Sequence, residues 1–97
     1  MRKKPYKIGS TSVGWANIEI WYDPCIGNCE GKWVPDECRI YIGQQAIVGG
    51  ERDTIIHELI HAADSLYCLK LSERKVRELA TCVVQGWTNL KFKLPRR

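Results

Sequence analysis

Histidine is scarce in this 97-residue sequence: the chain has two, His57 and His61. Long apolar runs are missing too. No stretch of about 18 apolar residues occurs, which argues against a membrane-spanning helix, and the N-terminal MRKKPYKIGSTS carries charge with no apolar segment behind it, so a secretory signal is not indicated. The five cysteines, Cys25, Cys29, Cys38, Cys68 and Cys82, form an odd set, which fits poorly with the fully paired framework of a small secreted domain. The expectation is a soluble cytoplasmic protein with reduced thiols. At this length it should form a single domain, residues 1–97, with one modest core.

The net charge of +4 raises the question of a nucleic-acid partner, and its distribution answers it. Eight of the fifteen Lys and Arg residues lie in the end segments, at about 1–7 and 91–97, while residues 8–90 carry seven positive charges against eleven negative. An acidic body with basic tails favours solubility or weak nonspecific attraction over a shaped nucleic-acid groove. Neither a specific nucleic-acid partner nor a membrane partner is expected.

Residues 17–22, NIEIWY, alternate as a half-buried strand does, with Ile18, Ile20 and Tyr22 on one face and Glu19 and Trp21 on the other. Residues 23–36 are dense in Gly, Pro, Asn and Asp, and CRIYIG then alternates again with Cys38, Ile40 and Ile42 on one face. The simplest arrangement is two antiparallel strands joined by a long cysteine-bearing loop, with a weaker strand signal at residues 6–8. Past Gly49 and Gly50, Glu51 and Asp53 place negative charge at a helix start, and a helical pattern runs to about Tyr67. Ser72 can cap a second helix from Glu73 to about Leu90. The predicted class is α+β, short antiparallel strands followed by two helices.

Both histidines fall within TIIHELIHAAD, residues 54–64. A helix advances about 100° per residue, so with His57 at 0°, His61 lies near 40°, Glu58 near 100° and Asp64 near 340°. Ile55, Ile56, Leu59, Ile60, Ala63, Leu66 and Tyr67 fall between about 160° and 300°, the stripe expected to enter the core, which turns the histidines onto a cleft. Zinc takes neutral imidazole nitrogens at about 2.0–2.1 Å, and two histidines four residues apart supply them from one rigid helix. Glu58 then sits beside the metal, free to take a proton from a zinc-bound water. A bare H-E-x-x-H recurs by accident, but here the flanking Ile55, Leu59, Ile60, Ala62 and Ala63 are uncharged, as in the stricter pattern of zinc metallopeptidases.

With the histidines exhausted, the third protein ligand cannot be His, which removes families such as metzincins and SprT-like proteases and leaves a carboxylate as the default. On the second helix, with Glu73 at 0°, the apolar residues Val76, Leu79, Ala80, Val83, Val84, Trp87 and Leu90 cluster between about 240° and 20°. Glu73 lies on the edge of that face and Glu78 near 140°, pointing away. Level along the helix favours Glu78 and facing favours Glu73. Facing decides, because a shifted crossing angle cannot turn a side chain around. Glu73 is therefore preferred and Glu78 is the runner-up. Asp64 is a third possibility, as a ligand or as a group orienting an imidazole. The cysteine spacing C-x3-C-x8-C in the loop lacks a fourth ligand, so Cys25, Cys29 and Cys38 read as small buried thiols or one disulfide before a second metal site, and Cys68 and Cys82 as packing residues. Of the four tryptophans, Trp33 is the one expected near the cleft.

HELIHAAD followed by LSERKVRELA resembles small HExxH metallopeptidases of the ImmA/IrrE and minimal gluzincin kind, especially short proteins encoded by bacteriophages. The resemblance covers residues 38 to about 90 well and the N-terminal half in outline. It implies a strand before the motif helix and a ligand Glu at the start of the next helix, where Glu73, Val76, Leu79 and Ala80 match. The chain lacks the longer C-terminal segments that carry a transition-state His in larger gluzincins, leaving Tyr67 or an Arg such as Arg52 as oxyanion stabiliser. The expectation is a zinc endopeptidase acting on a protein or peptide, for which a specific regulatory protein of a phage or mobile element is one choice. Zinc would be held by His57, His61 and Glu73, Glu58 would serve as base, and strand 38–42 would offer an edge to an extended substrate. The alternative is a catalytically weak regulatory binding module in which zinc ties the helices together.

Overall fold

A computed structural model describes residues 4–26, 31–44 and 50–91. Among these residues four strands, β1 (Tyr6–Val13), β2 (Ala16–Tyr22), β3 (Gly31–Val34) and β4 (Arg39–Ile42), precede the helices α1 (Glu51–Tyr67) and α2 (Glu73–Thr88). The class is α+β, with a mixed sheet of strand order β1-β2-β4-β3.

The pairing corrects three expectations. β2 and β4 run parallel, with Ile20 opposite Ile40 and Tyr22 opposite Ile42. The intervening loop contains β3, antiparallel to β4, and this third strand is what turns the chain so that β4 returns in the direction of β2. The weak signal at residues 6–8 extends to an eight-residue strand, joined to β2 by a two-residue turn in which Gly14 takes a φ of 58°. A glycine at the first turn position of positive φ matches the twist of a hairpin.

Ile18, Ile20, Ile40 and Ile42 cover one face of the sheet and, with Ala62 of α1, form the core. On the opposite face Arg39 stacks 4.1 Å above the Trp21 ring, and Glu19 bridges Lys7 at 3.3 Å and Arg39 at 3.2 Å.

α1 meets the sheet along Thr54, Glu58 and Ala62, all buried, with Ile55 and Leu59 packed beside them. The expected stripe is thus rotated: Ile56, Ile60 and Ala63 are half-buried and Tyr67 is exposed. Close approach is the reason. A Cβ on Gly31 of β3 would stand 2.7 Å from Thr54 Cγ2, so the line nearest the sheet requires small or slender groups and the bulky aliphatics flank it. α2 buries Val76 and Ala80. Leu79, Val83, Trp87 and Leu90, expected to face inward, are exposed, as are Cys68 and Cys82. Among the described residues, no helix is long and apolar enough to cross a membrane.

Candidate metal centre

Both ends of the helical hairpin are set locally. α1 stops at Cys68, whose left-handed φ of 52° lets its N–H reach the Asp64 carbonyl. Asp64 Oδ1 then accepts from the Leu71 N–H at 3.0 Å, and Ser72 Oγ accepts from the Lys75 N–H at 3.2 Å to cap α2. Asp64 therefore holds the interhelical turn, where the sequence offered it as a ligand or an imidazole partner. The turn delivers Glu73, the first residue of α2, back over the motif.

There the two imidazoles and one carboxylate converge. His57 Nε2 lies 3.0 Å from Glu73 Oε1, His61 Nε2 lies 2.9 Å from Glu73 Oε2, and the two Nε2 atoms are 3.2 Å apart. The rings meet edge to face, with centroids 4.9 Å apart. Glu78 takes no part: its carboxylate accepts from Arg74 Nε at 2.9 Å on the exposed side of α2.

These contacts cannot all be hydrogen bonds. Each Nε2 offers one in-plane position, a proton or a lone pair. A proton on both nitrogens serves both Glu73 oxygens but sets two donors against each other at 3.2 Å. A lone pair on either leaves its Glu73 oxygen facing another acceptor. A cation resolves the conflict, since all three groups then act as acceptors. Tetrahedral ligands at about 2.0–2.1 Å stand about 3.3–3.4 Å apart, a few tenths of an ångström wider than the spacing here. The donor set therefore fits a metal ion.

Glu58 belongs to the same cluster: possible ligand atoms of His57, Glu58 and His61 all lie within 4.8 Å of one another and could hold a metal ion. The Trp33 backbone N–H lies on its side of the cleft and acts on its carboxyl. At 8% exposure, burial pushes that carboxyl above the ordinary range, against the opposing pull of His61, His57 and the Trp33 N–H. Of the two carboxylates, Glu73 touches both imidazoles, while Glu58 is buried beside them, next to β3.

A cleft of about 1120 Å³ runs between α1, α2 and β3, with His57, His61 and Glu73 on its wall. Its size exceeds the usual small-molecule range of about 300–1,000 Å³. Trp33 lines it as expected, with its indole Nε1 buried and without a partner among the described residues. The two residues offered as oxyanion stabilisers do not line it. Tyr67 packs against the Gly14 turn, and Arg52 reaches Thr88 Oγ1 at 3.5 Å. The expected substrate edge also moves: β4 is flanked on both sides, and β3 is the edge strand beside the motif. Sequence reasoning passed over Arg77, which lines the cleft one turn after Glu73. The four-residue spacing from a candidate ligand was the available signal. Cys29 lies outside the described residues, and Cys38 carries a free thiol. Compared with models of protein families, with curated proteins and with solved structures, the chain gives no match.

Proposed function

We propose that this protein is a zinc-dependent endopeptidase, with His57, His61 and Glu73 as the metal ligands and Glu58 as the general base. One observation carries the reading: three acceptor groups converge within 3.2 Å of one another, and a buried carboxylate stands beside them without displacing any. Two His and one carboxylate form a three-ligand set, the composition of catalytic zinc sites, whereas structural sites close with four protein ligands.

Zinc held there supplies Lewis acidity and lowers the pKa of a bound water to about 7. The remaining work belongs to the chain. Glu58, buried beside β3, takes a proton from the attacking water and returns it to the leaving nitrogen. Burial raises its affinity for that proton, as a base working near neutrality requires. β3 pairs with β4 on one side, and its other edge can receive an extended chain by main-chain hydrogen bonds, which brings a scissile bond alongside the strand next to the base.

The test is Glu58→Gln. This variant should keep the zinc content of the wild type and lose hydrolysis of an unstructured protein such as casein; undiminished turnover would sink the mechanism.

A second reading has one observation in its favour. α2 buries only Val76 and Ala80, so a metal linking Glu73 to α1 would carry much of the attachment of α2. In a zinc-stabilised binding module of that kind, chelation melts the helical hairpin and Glu58→Gln has no functional consequence.

A further inference from the structure

On the peptidase reading, negative charge would develop on the carbonyl oxygen, and a donor from the chain would share it with the metal. Neither Tyr67 nor Arg52 lines the cleft: Tyr67 packs against the Gly14 turn, and Arg52 donates to Thr88 Oγ1 at 3.5 Å. On the cleft face of α2, Glu73, Arg77, Ala80, Thr81 and Val84 follow one another at helical spacing, and Arg77 is the only cation among them. Glu73 touches both His57 and His61, and Arg77 follows it one turn further along α2, about 6 Å, on the wall of the same cleft.

The ion pairs around Arg77 leave its guanidinium available. Both oxygens of Glu73 are taken by the imidazoles. Glu78, next in sequence, is held by Arg74 at 2.9 Å. Asp64, across the cleft, accepts from the Leu71 N–H. Arg77 itself forms no ion pair among the described residues. Its backbone carbonyl accepts from Thr81 Oγ1 at 3.0 Å, one turn further along the same face. A permanently charged, planar donor is thereby left without an ion-pair partner on the wall of the cleft that also holds His57, His61 and Glu73.

We propose that Arg77 is the residue that binds the scissile carbonyl oxygen as negative charge develops on it, an assignment that rests on the peptidase reading above. The guanidinium donates to the oxygen from the α2 wall while Glu58 handles the proton from the α1 side. No bond to Arg77 forms or breaks.

The experiment compares wild type, Arg77→Gln, Arg77→Lys and the exposed control Arg74→Gln, each loaded with cobalt(II) in place of zinc. Inorganic phosphate, a tetrahedral oxyanion, is titrated while the cobalt absorption bands are followed. Metal stoichiometry should be equal in all four. Phosphate should perturb the wild-type spectrum, Arg77→Gln should bind it at least tenfold more weakly, Arg77→Lys should fall between, and Arg74→Gln should match wild type. With zinc restored and casein as substrate, Arg77→Gln should lower kcat by about 10²–10³ with little change in KM, the scale for removing one oxyanion donor. An Arg77→Gln titration that overlays wild type overturns the assignment and leaves the metal centre standing. Failure of wild type to bind cobalt removes the metal centre itself, and the assignment with it.

Discussion

Gly31→Ala tests how closely the motif helix must approach the sheet. The added Cβ would lie 2.7 Å from Thr54 Cγ2, 3.1 Å from the Tyr41 carbonyl oxygen and 3.4 Å from Glu58 Cγ. Ordinary contact begins at 3.4 Å, so the first two contacts must open and the third is already at its limit. Thr54 is buried on α1 and its β-branched side chain has little rotamer freedom; the Tyr41 carbonyl belongs to the β3/β4 ladder. Relief therefore comes from moving β3 as a unit. Overpacking of this kind costs about 1–3 kcal/mol, and each kcal/mol lowers Tm by about 4–8 °C in a domain of 60–100 residues. Thermal unfolding followed by circular dichroism measures the loss. Adding Thr54→Ser removes Cγ2 and keeps the hydroxyl that faces the Gly50 carbonyl at 3.4 Å, so the double variant should regain part of it, the Tyr41 contact accounting for the rest. Displacement of β3 also draws the Trp33 N–H away from Glu58, so turnover should fall while zinc is retained. A Gly31→Ala melt superimposable on wild type, or a double variant less stable than the single, would refute the close-approach argument.

Glu73→Ala should weaken zinc binding by more than about 100-fold, since loss of groups that merely support a ligand already costs about 10–100-fold, and Glu78→Ala should leave it within about twofold; competition with a chromophoric chelator measures both, and the reverse order reassigns the ligand. Asp64→Ala leaves the Leu71 N–H without its acceptor and should cost about 1–2 kcal/mol in a thermal melt while also lowering zinc affinity, because the turn it holds positions Glu73. The Trp21 indole N–H, with Lys7 and Arg39, holds the Glu19 carboxyl below its ordinary range, so its ionised form stabilises the fold above the unfolded carboxylate range and that contribution disappears as pH falls through the folded value. Glu19→Gln should accordingly lower Tm most near neutral pH, with the gap to wild type closing in acid; a gap independent of pH would contradict the assignment.

What could be read from the sequence differs from residue to residue for physical reasons. The helix bounds and the Ser72 cap were legible because caps and period are local properties. The choice of Glu73 over Glu78 followed from facing alone, and Glu73 is the one in contact with both imidazoles. The direction of β4 was not legible, since alternation fixes the face a side chain takes and says nothing of which strand lies beside it or which way it runs. β3 was hidden because GKWV is four residues long and begins with glycine, so it read as loop. The buried line of α1 was misplaced because apolar bulk marks a face only when the neighbour leaves room for it; against β3 the nearest positions are Thr54, Glu58 and Ala62. On α2 the pattern gave one continuous stripe, yet only Val76 and Ala80 are buried, and Val83, Trp87 and Leu90 are left exposed.

The packing of Glu58 beside β3 has a consequence for how the site is assembled. His57, His61 and Glu73 come from one contiguous helical hairpin, a local structure of low loop-closure entropy that can gather a metal early in folding. Glu58 meets β3 only when that strand packs on α1, a contact outside the helical hairpin. On the reading proposed above, the metal ligands and the base would therefore draw on different parts of the fold, the first on the helical hairpin and the second on its packing against the sheet.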